Sequence, residues 1–117
     1  SRKFGEVTYH LTQVLSGHGC FAAYLNRFGI QESIVCEQCG AAPDDAEHGV
    51  FYCDAWANWR RMACIELGIT ELTPDNLVDI MMSSADGWAM VSDLIGRIMS
   101  TRESEERIRQ RIPVDTP

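Results

Sequence analysis

The chain has 117 residues, 45% of them hydrophobic and 23% charged, which is typical of a single soluble domain with one modest core. No apolar run approaches the roughly 18 to 20 residues of a transmembrane helix, and the N-terminal segment lacks the apolar stretch of a secretory signal. The formal net charge is −7. Because the first residue is not Met, we expect the sequence to be a piece of a longer chain.

Apolar residues at helical spacing predict two helices before the cysteine-rich segment. The first stops near Gly17, and the second is closed by Gly29, where a left-handed cap costs least. Their apolar positions are Phe4, Val7, Leu11 and Val14 in the first and Phe21, Tyr24, Leu25 and Phe28 in the second.

Three further helices are predicted after the cysteine-rich segment. One ends at Gly68, and the next has Thr73 as its N-cap and Pro74 as its first helical residue. Their buried faces are Trp56, Trp59, Ala63 and Leu67; then Leu77, Ile80 and Met81; then Trp88, Val91, Leu94, Ile95, Ile98 and Met99. We therefore predict an all-α fold, a small helical domain of about five helices that spans residues 1–117.

Seven of the eleven residues in 102–112 are charged. Glu103 with Arg107 and Glu105 with Arg109 form favourable i,i+4 pairs. We interpret this segment as a solvated helical extension of the domain.

Four potential metal ligands lie in residues 36–53, with the spacing Cys36-x2-Cys39-x8-His48-x4-Cys53. Two cysteines two residues apart can direct both thiolates at one ion, and Gly40 permits the positive φ that such a turn often needs. Because His48 and Cys53 cannot share one helical face ideally, we expect a turn or a helix end between them. Zn²⁺ is the expected metal, in a closed and structural site. The alternative is three buried cysteines and a surface histidine without metal.

The five cysteines are an odd number, and three of them lie at ligand spacing with a histidine. This favours a metal site over a disulfide framework, and it indicates an intracellular protein, nuclear or cytoplasmic or both. Cys20 and Cys64 stand apart from the motif, and we expect both to be buried as small apolar residues.

Several ordered stretches resemble the C-terminal region of the polyprotein of insect-type non-LTR retrotransposons. They are LTQVLSGHGCFAAYLNRFGI, CEQCG, AEHGVFYC, the helix with Trp59, Arg60 and Arg61, and LTPDNLVDIMMSSADGWAMVSDLIGRIM, and together they cover about residues 4 to 100. In that family the segment follows the reverse transcriptase and carries a CCHC zinc motif. The resemblance implies zinc ligands Cys36, Cys39, His48 and Cys53. Asp54 stands where the family commonly has proline.

The resemblance implies a parent enzyme that is an RNA-directed DNA polymerase, but the chain itself contains no YxDD polymerase motif. We therefore expect no enzymatic activity from this chain. An accessory role remains, in which the domain positions template RNA or target DNA for target-primed reverse transcription. The candidate contacts are Arg27, Arg60, Arg61 and the C-terminal arginines, with Tyr52 or Trp56 stacking on a base. For Trp56 the alternative is a place in the core.

The charge distribution favours a different function. Residues 28–96 contain two arginines and twelve acidic residues, so this central part has a formal charge of −10 and would repel a phosphate backbone. Met81, Met82 and Met90 are suited to an adaptable surface, although such residues are more often core. The second hypothesis is therefore a zinc-stapled module that docks a protein: another part of the polyprotein, a second copy of the chain, or a host factor.

Overall fold

The computed structural model describes residues 33–111 together with Val14, Arg27 and Gly29. This part of the chain contains three α-helices, two short helical turns and no β-strand, which confirms the all-α prediction. The helices are α1 (Ala57–Leu67), α2 (Leu77–Ser83) and α3 (Ala85–Arg111), preceded by a π-helical turn (His48–Tyr52) and a 3-10 turn (Asp54–Trp56).

The two helices predicted before residue 29 lie outside the described residues, except for isolated positions. Val14 and Arg27 are helical, and Val14 is buried in the core. Gly29 has φ +73°, which is the left-handed conformation expected at that position. Cys20 also lies outside the described residues.

Helix α3 is the centre of the domain, because α1, α2 and the π-helical turn all pack against it. Its predicted apolar stripe is confirmed: Trp88, Val91, Leu94, Ile95, Ile98 and Met99 are all buried. Helix α2 contributes Leu77 and Met81 to the same core, as predicted. None of the described helices is both long and apolar enough to cross a membrane.

The ends of the helices show which local signals fixed them. Gly68 ends α1 with φ +71°, and Ile69 N–H donates to the Cys64 carbonyl at 3.0 Å, as in a Schellman cap. The predicted start of α2, at Pro74, is three residues before the observed start at Leu77. Thr73 accepts from the Asn76 N–H (3.2 Å), but residues 74–76 form a turn and the helix itself begins at Leu77.

The charged segment after residue 101 continues α3 to Arg111, but it is not solvated throughout. Arg102 is 3% exposed. Glu105 accepts a hydrogen bond from Gln38 Nε2 at 2.9 Å, and Arg109 pairs with Glu106. The interpretation of a fully solvated extension was therefore wrong at its first turn, which packs on the cysteine-rich loop.

Candidate metal centre

The four predicted ligands converge on one point. The ligand atoms of Cys36, Cys39, His48 and Cys53 all lie within 4.8 Å of one another. Cys36 and Cys53 are buried, His48 is half-buried and Cys39 is exposed. The prediction that these side chains form one cluster is confirmed, and the cluster could bind a metal ion.

A tight turn positions the first two thiols. Gly40 N–H donates to the Cys36 carbonyl at 2.8 Å, and Cys36 N–H donates to the Ala41 carbonyl at 2.7 Å. Gly40 has φ +86°, a conformation that residues with a Cβ rarely adopt, so the glycine after the second cysteine has the expected role. The turn brings the side chains of Cys36 and Cys39 to the same side of the loop.

A π-helical turn positions the other two ligands. Residues five apart in an α-helix are separated by about 140° around its axis, which would direct His48 and Cys53 apart. Here the Cys53 N–H instead donates to the His48 carbonyl at 2.8 Å, the i→i+5 bond of a π-helix. Asp45 starts the preceding turn, because its Oδ1 accepts from the His48 N–H at 2.9 Å.

Two of the distances within the cluster are close to those of a tetrahedral site. Two thiolates bound to one Zn²⁺ at about 2.3 Å are separated by roughly 3.8 Å, and a thiolate and an imidazole nitrogen by roughly 3.6 Å. Cys36 Sγ and Cys53 Sγ are 3.8 Å apart, and Cys39 Sγ and His48 Nε2 are 3.3 Å apart. Three sulfurs and one nitrogen would fill all four positions, which suits a structural metal and leaves no position for an activated water.

The thiols differ in how readily they ionise. Burial raises the pKa of Cys36 and raises that of Cys53 to about 12. At Cys39, burial acts to raise the pKa, but hydrogen bonds from the Ala41 backbone and from the neighbouring thiols outweigh it and lower the pKa. A bound cation would offset the cost of ionising the two buried thiols, since a coordinating thiol is deprotonated outright.

Sequence reasoning missed the residues that surround these ligands. Arg102 Nη2 lies 2.5 Å from Asp44 Oδ2, and Nη1 of the same guanidinium lies 4.0 Å from Cys36 Sγ. One signal was available: Arg102 is three residues after Met99 and four after Ile98, so it continues the buried face of α3. Its charge led us to assign it to solvent.

A groove of about 380 Å³ beside the cluster contains three of the five predicted nucleic-acid contacts, namely Tyr52, Arg60 and Arg61. It runs between the π-helical turn, α1 and the segment before α2. Tyr52 is 55% exposed. Arg61 is exposed and donates to Asn58 Oδ1 at 2.9 Å, whereas Arg60 is half-buried and donates to the Val50 carbonyl at 3.3 Å. The remaining lining residues are Phe51, Ala57, Cys64, Ile65, Ile69, Thr70, Glu71, Leu72 and Thr73.

The other two predicted contacts do not line this groove. Trp56 is 5% exposed and stacks on Trp59, with their ring centroids 5.0 Å apart. The suggestion that Trp56 stacks on a base was therefore wrong, because its ring belongs to the core. Arg27 is an exposed helical residue outside the groove. Cys64, predicted to be a buried apolar residue, is buried.

One curated protein provides a comparison for most of the chain. The chain is 30% identical over 108 residues, or 92% of its length, to the Retrovirus-related Pol polyprotein from type-1 retrotransposable element R1 2 of Nasonia vitripennis. It spans about a quarter of that relative's length, 25%. No protein-family model and no solved structure matches the chain. The similarity supports a retrotransposon origin for this sequence.

Proposed function

We propose that the chain is a zinc-binding accessory domain of a retrotransposon polyprotein that binds single-stranded nucleic acid in the groove formed by Tyr52, Arg60 and Arg61. In the parent protein this contact would position template RNA or target DNA for target-primed reverse transcription. The observation that carries the proposal is the groove itself, because it joins an exposed aromatic ring and two arginines directly beside the candidate metal centre. The similarity to a Pol polyprotein supports the same role.

Each side chain of the groove suits a different part of a nucleotide. The Tyr52 ring can stack on an unpaired base, and Arg61 can bind a phosphate. Arg60 is bonded to the Val50 carbonyl, so it contributes a fixed positive charge. Glu71 also lines the groove, and its carboxylate can accept from a base amino group. This set of side chains favours bases that are free of pairing over a duplex.

The acidic centre of the chain limits how strongly a nucleic acid can bind. With a formal charge of −10 over residues 28–96, affinity must come from the local groove and not from a general positive field. If two phosphates are neutralised, the logarithmic salt slope for a single strand is about −1.4. Raising salt fourfold should then weaken binding by about sevenfold, far less than for a basic nucleic-acid-binding protein.

The test is a fluorescence-anisotropy titration of the zinc-loaded chain with single-stranded RNA, a hairpin and duplex DNA at two salt concentrations. We expect single strands to bind best. Tyr52→Ala should weaken binding by roughly 5- to 150-fold, which corresponds to the loss of about 1–3 kcal/mol of stacking, whereas Tyr52→Phe should retain it. Arg61→Ala should weaken binding and flatten the salt dependence. Arg107→Ala, an exposed arginine near the end of α3, is the matched control.

Absence of binding at low salt would contradict the nucleic-acid function. Equal losses in Arg61→Ala and Arg107→Ala would contradict the groove as the binding site, because Arg107 does not line it. The double variant Arg60→Ala with Arg61→Ala is less informative than Arg61→Ala alone. Arg60 also donates a hydrogen bond to the Val50 carbonyl in the π-helical turn. Its loss would therefore disturb the turn that carries His48 as well as the groove.

A second candidate function is docking of a protein partner. The observation that favours it is a set of large apolar side chains left exposed on the two shorter helices, namely Met62 and Ile65 of α1 and Val78 and Met82 of α2. Of the three methionines suggested from sequence, Met81 is buried and Met90 half-buried, so only Met82 remains exposed. Sedimentation of the chain alone would test self-association, and Met62→Ser with Ile65→Ser should abolish a dimer that uses α1.

A further inference from the structure

Arg102 links the last helix to the candidate metal centre. It lies on α3, is 3% exposed, and contacts two residues of the cysteine-rich loop that are 58 and 66 positions earlier in the sequence. Its Nη2 bonds to Asp44 Oδ2 at 2.5 Å, and its Nη1 approaches Cys36 Sγ at 4.0 Å. One guanidinium therefore contacts both a ligand and the spacer between the second and third ligands.

The charges around this guanidinium explain why a cation belongs there. Three thiolates, one neutral imidazole and a divalent metal carry a net charge of −1, and the Asp44 carboxylate adds another negative charge. Both Asp44 and Cys36 are 1% exposed, so water does little to screen these charges. Arg60 is a second arginine close to the thiols, on the Cys53 side, where it donates to the Val50 carbonyl.

A second contact joins the same two parts of the molecule. Gln38, which lies between Cys36 and Cys39, donates from Nε2 to Glu105 Oε1 at 2.9 Å. Glu105 is three residues beyond Arg102, so both side chains extend from the same face of α3. The cysteine-rich loop thus contacts one turn of α3 at two points, Arg102 and Glu105.

We infer that Arg102 is a positioning residue of the metal centre, which stabilises the Cys36 thiolate and couples metal binding to the docking of the C-terminal half of α3. This role rests on the proposed zinc site. Partners that surround metal ligands typically contribute about 10- to 100-fold in metal affinity. Because coupling is reciprocal, bound metal must strengthen the contact between α3 and the loop by the same factor.

The first measurement is the Zn²⁺ dissociation constant of the full 117-residue chain, obtained by competition with a chromophoric chelator. We expect Arg102→Met to weaken Zn²⁺ binding by about 10- to 100-fold. Arg102→Lys should be affected less, because it retains the charge without the planar fork. Arg107→Met, on an exposed face of the same helix, is the matched control and should bind Zn²⁺ as the unmodified chain does.

The second measurement separates an effect on the metal from an effect on the fold alone. With Co²⁺ in place of Zn²⁺, loss of the cation beside Cys36 should move the thiolate-to-cobalt charge-transfer band to longer wavelength in Arg102→Met. Asp44→Asn removes the ion pair but keeps the guanidinium near Cys36, so it should weaken Zn²⁺ binding less and leave the band nearly unmoved. Hydrogen exchange around residues 98–106 should slow on Zn²⁺ addition in the unmodified chain.

Arg102 would have no role at the metal if Arg102→Met and Arg107→Met bound Zn²⁺ equally well. A purely structural ion pair would give equal losses in Arg102→Met and Asp44→Asn with an unmoved cobalt band. If Arg102→Met does not fold, Arg102→Gln is the replacement variant, because it keeps a hydrogen-bond donor for Asp44 but has no charge. An unmoved cobalt charge-transfer band in Arg102→Gln would again overturn the inference. Failure of the unmodified chain to bind Zn²⁺ would instead contradict the zinc site itself.

Discussion

Cys39 and Cys64 are both free thiols, but their surroundings give them different roles. Cys39 is exposed and 3.3 Å from His48 Nε2, whereas Cys64 is buried on α1 away from the four-residue cluster. Burial raises the pKa of Cys64, while the Cys39 thiol ionises more readily. An exposed cysteine contributes little to a core, so the place of Cys39 in the four-residue cluster favours a role as a metal ligand.

This difference predicts the effects of two substitutions. Cys39→Ser should remove one of four ligands, abolish the tetrahedral Co²⁺ spectrum and weaken Zn²⁺ binding strongly, because a hydroxyl is a poor replacement for a thiolate. Cys64→Ala should bind Co²⁺ normally and lose only about 1 kcal/mol of stability for a small cavity. An unchanged Co²⁺ spectrum in Cys39→Ser would contradict the ligand assignment.

At the scale of elements, the junction between α2 and α3 depends on a glycine. Ser84 caps α3, because its Oγ accepts from the Gly87 N–H at 2.9 Å. The chain changes direction at Ser84, between the end of α2 and the start of α3. The last turn of α2 therefore lies directly against the first turn of α3. A Cβ at position 87 would overlap the carbonyl oxygen of Ile80.

Gly87→Ala should therefore destabilise the domain by about 1–3 kcal/mol, as overpacking in a core does. Gly96→Ala is the matched control on the same helix, where nothing lies within 4 Å of an added Cβ. That change should stabilise the domain by roughly 0.5–1 kcal/mol, because glycine is unfavourable inside a helix. Urea denaturation of the two variants measures both effects, and a Gly87→Ala variant as stable as Gly96→Ala would contradict the close approach.

At the scale of the whole molecule, the cysteine-rich loop adds polar contacts between elements that also meet in the apolar core. The π-helical turn precedes α1, packs against α3 and carries two of the four ligands. Arg102 and Glu105 join α3 to the first half of the loop. For a chain of this length, one bound ion can contribute a large part of the free energy of folding.

Metal removal should therefore unfold more than the ligands themselves. We expect a strong chelator to reduce helical circular dichroism and to speed hydrogen exchange across residues 36–67, with Zn²⁺ restoring both. The first half of α3 should be affected least, since its contacts with α2 do not involve the loop. Unchanged circular dichroism after verified metal removal would show that metal binding to the loop does not stabilise the fold.

The sequence by itself determined the features that depend on residues close along the chain. The ligand spacing and Gly40 identified the candidate metal cluster, Gly68 gave the end of α1, and the apolar stripe of α3 gave its buried face. Each of these follows from a backbone preference or a helical period, which acts over a few residues. The start of α2 was misplaced because the Thr73–Pro74 signal also fits the turn that precedes the helix.

Only the tertiary structure decided which side chains meet across long separations. It buried Arg102 beside Asp44 and Cys36, placed Trp56 in the core, and joined Tyr52 to Arg60 and Arg61 in one groove. Charge alone assigns an arginine to solvent, since burying it is unfavourable until a carboxylate 58 residues away is brought within hydrogen-bonding distance. That compensation comes from packing α3 against the cysteine-rich loop. The helical period places Arg102 on the buried face of α3, but no local pattern in the sequence identifies Asp44 as its partner.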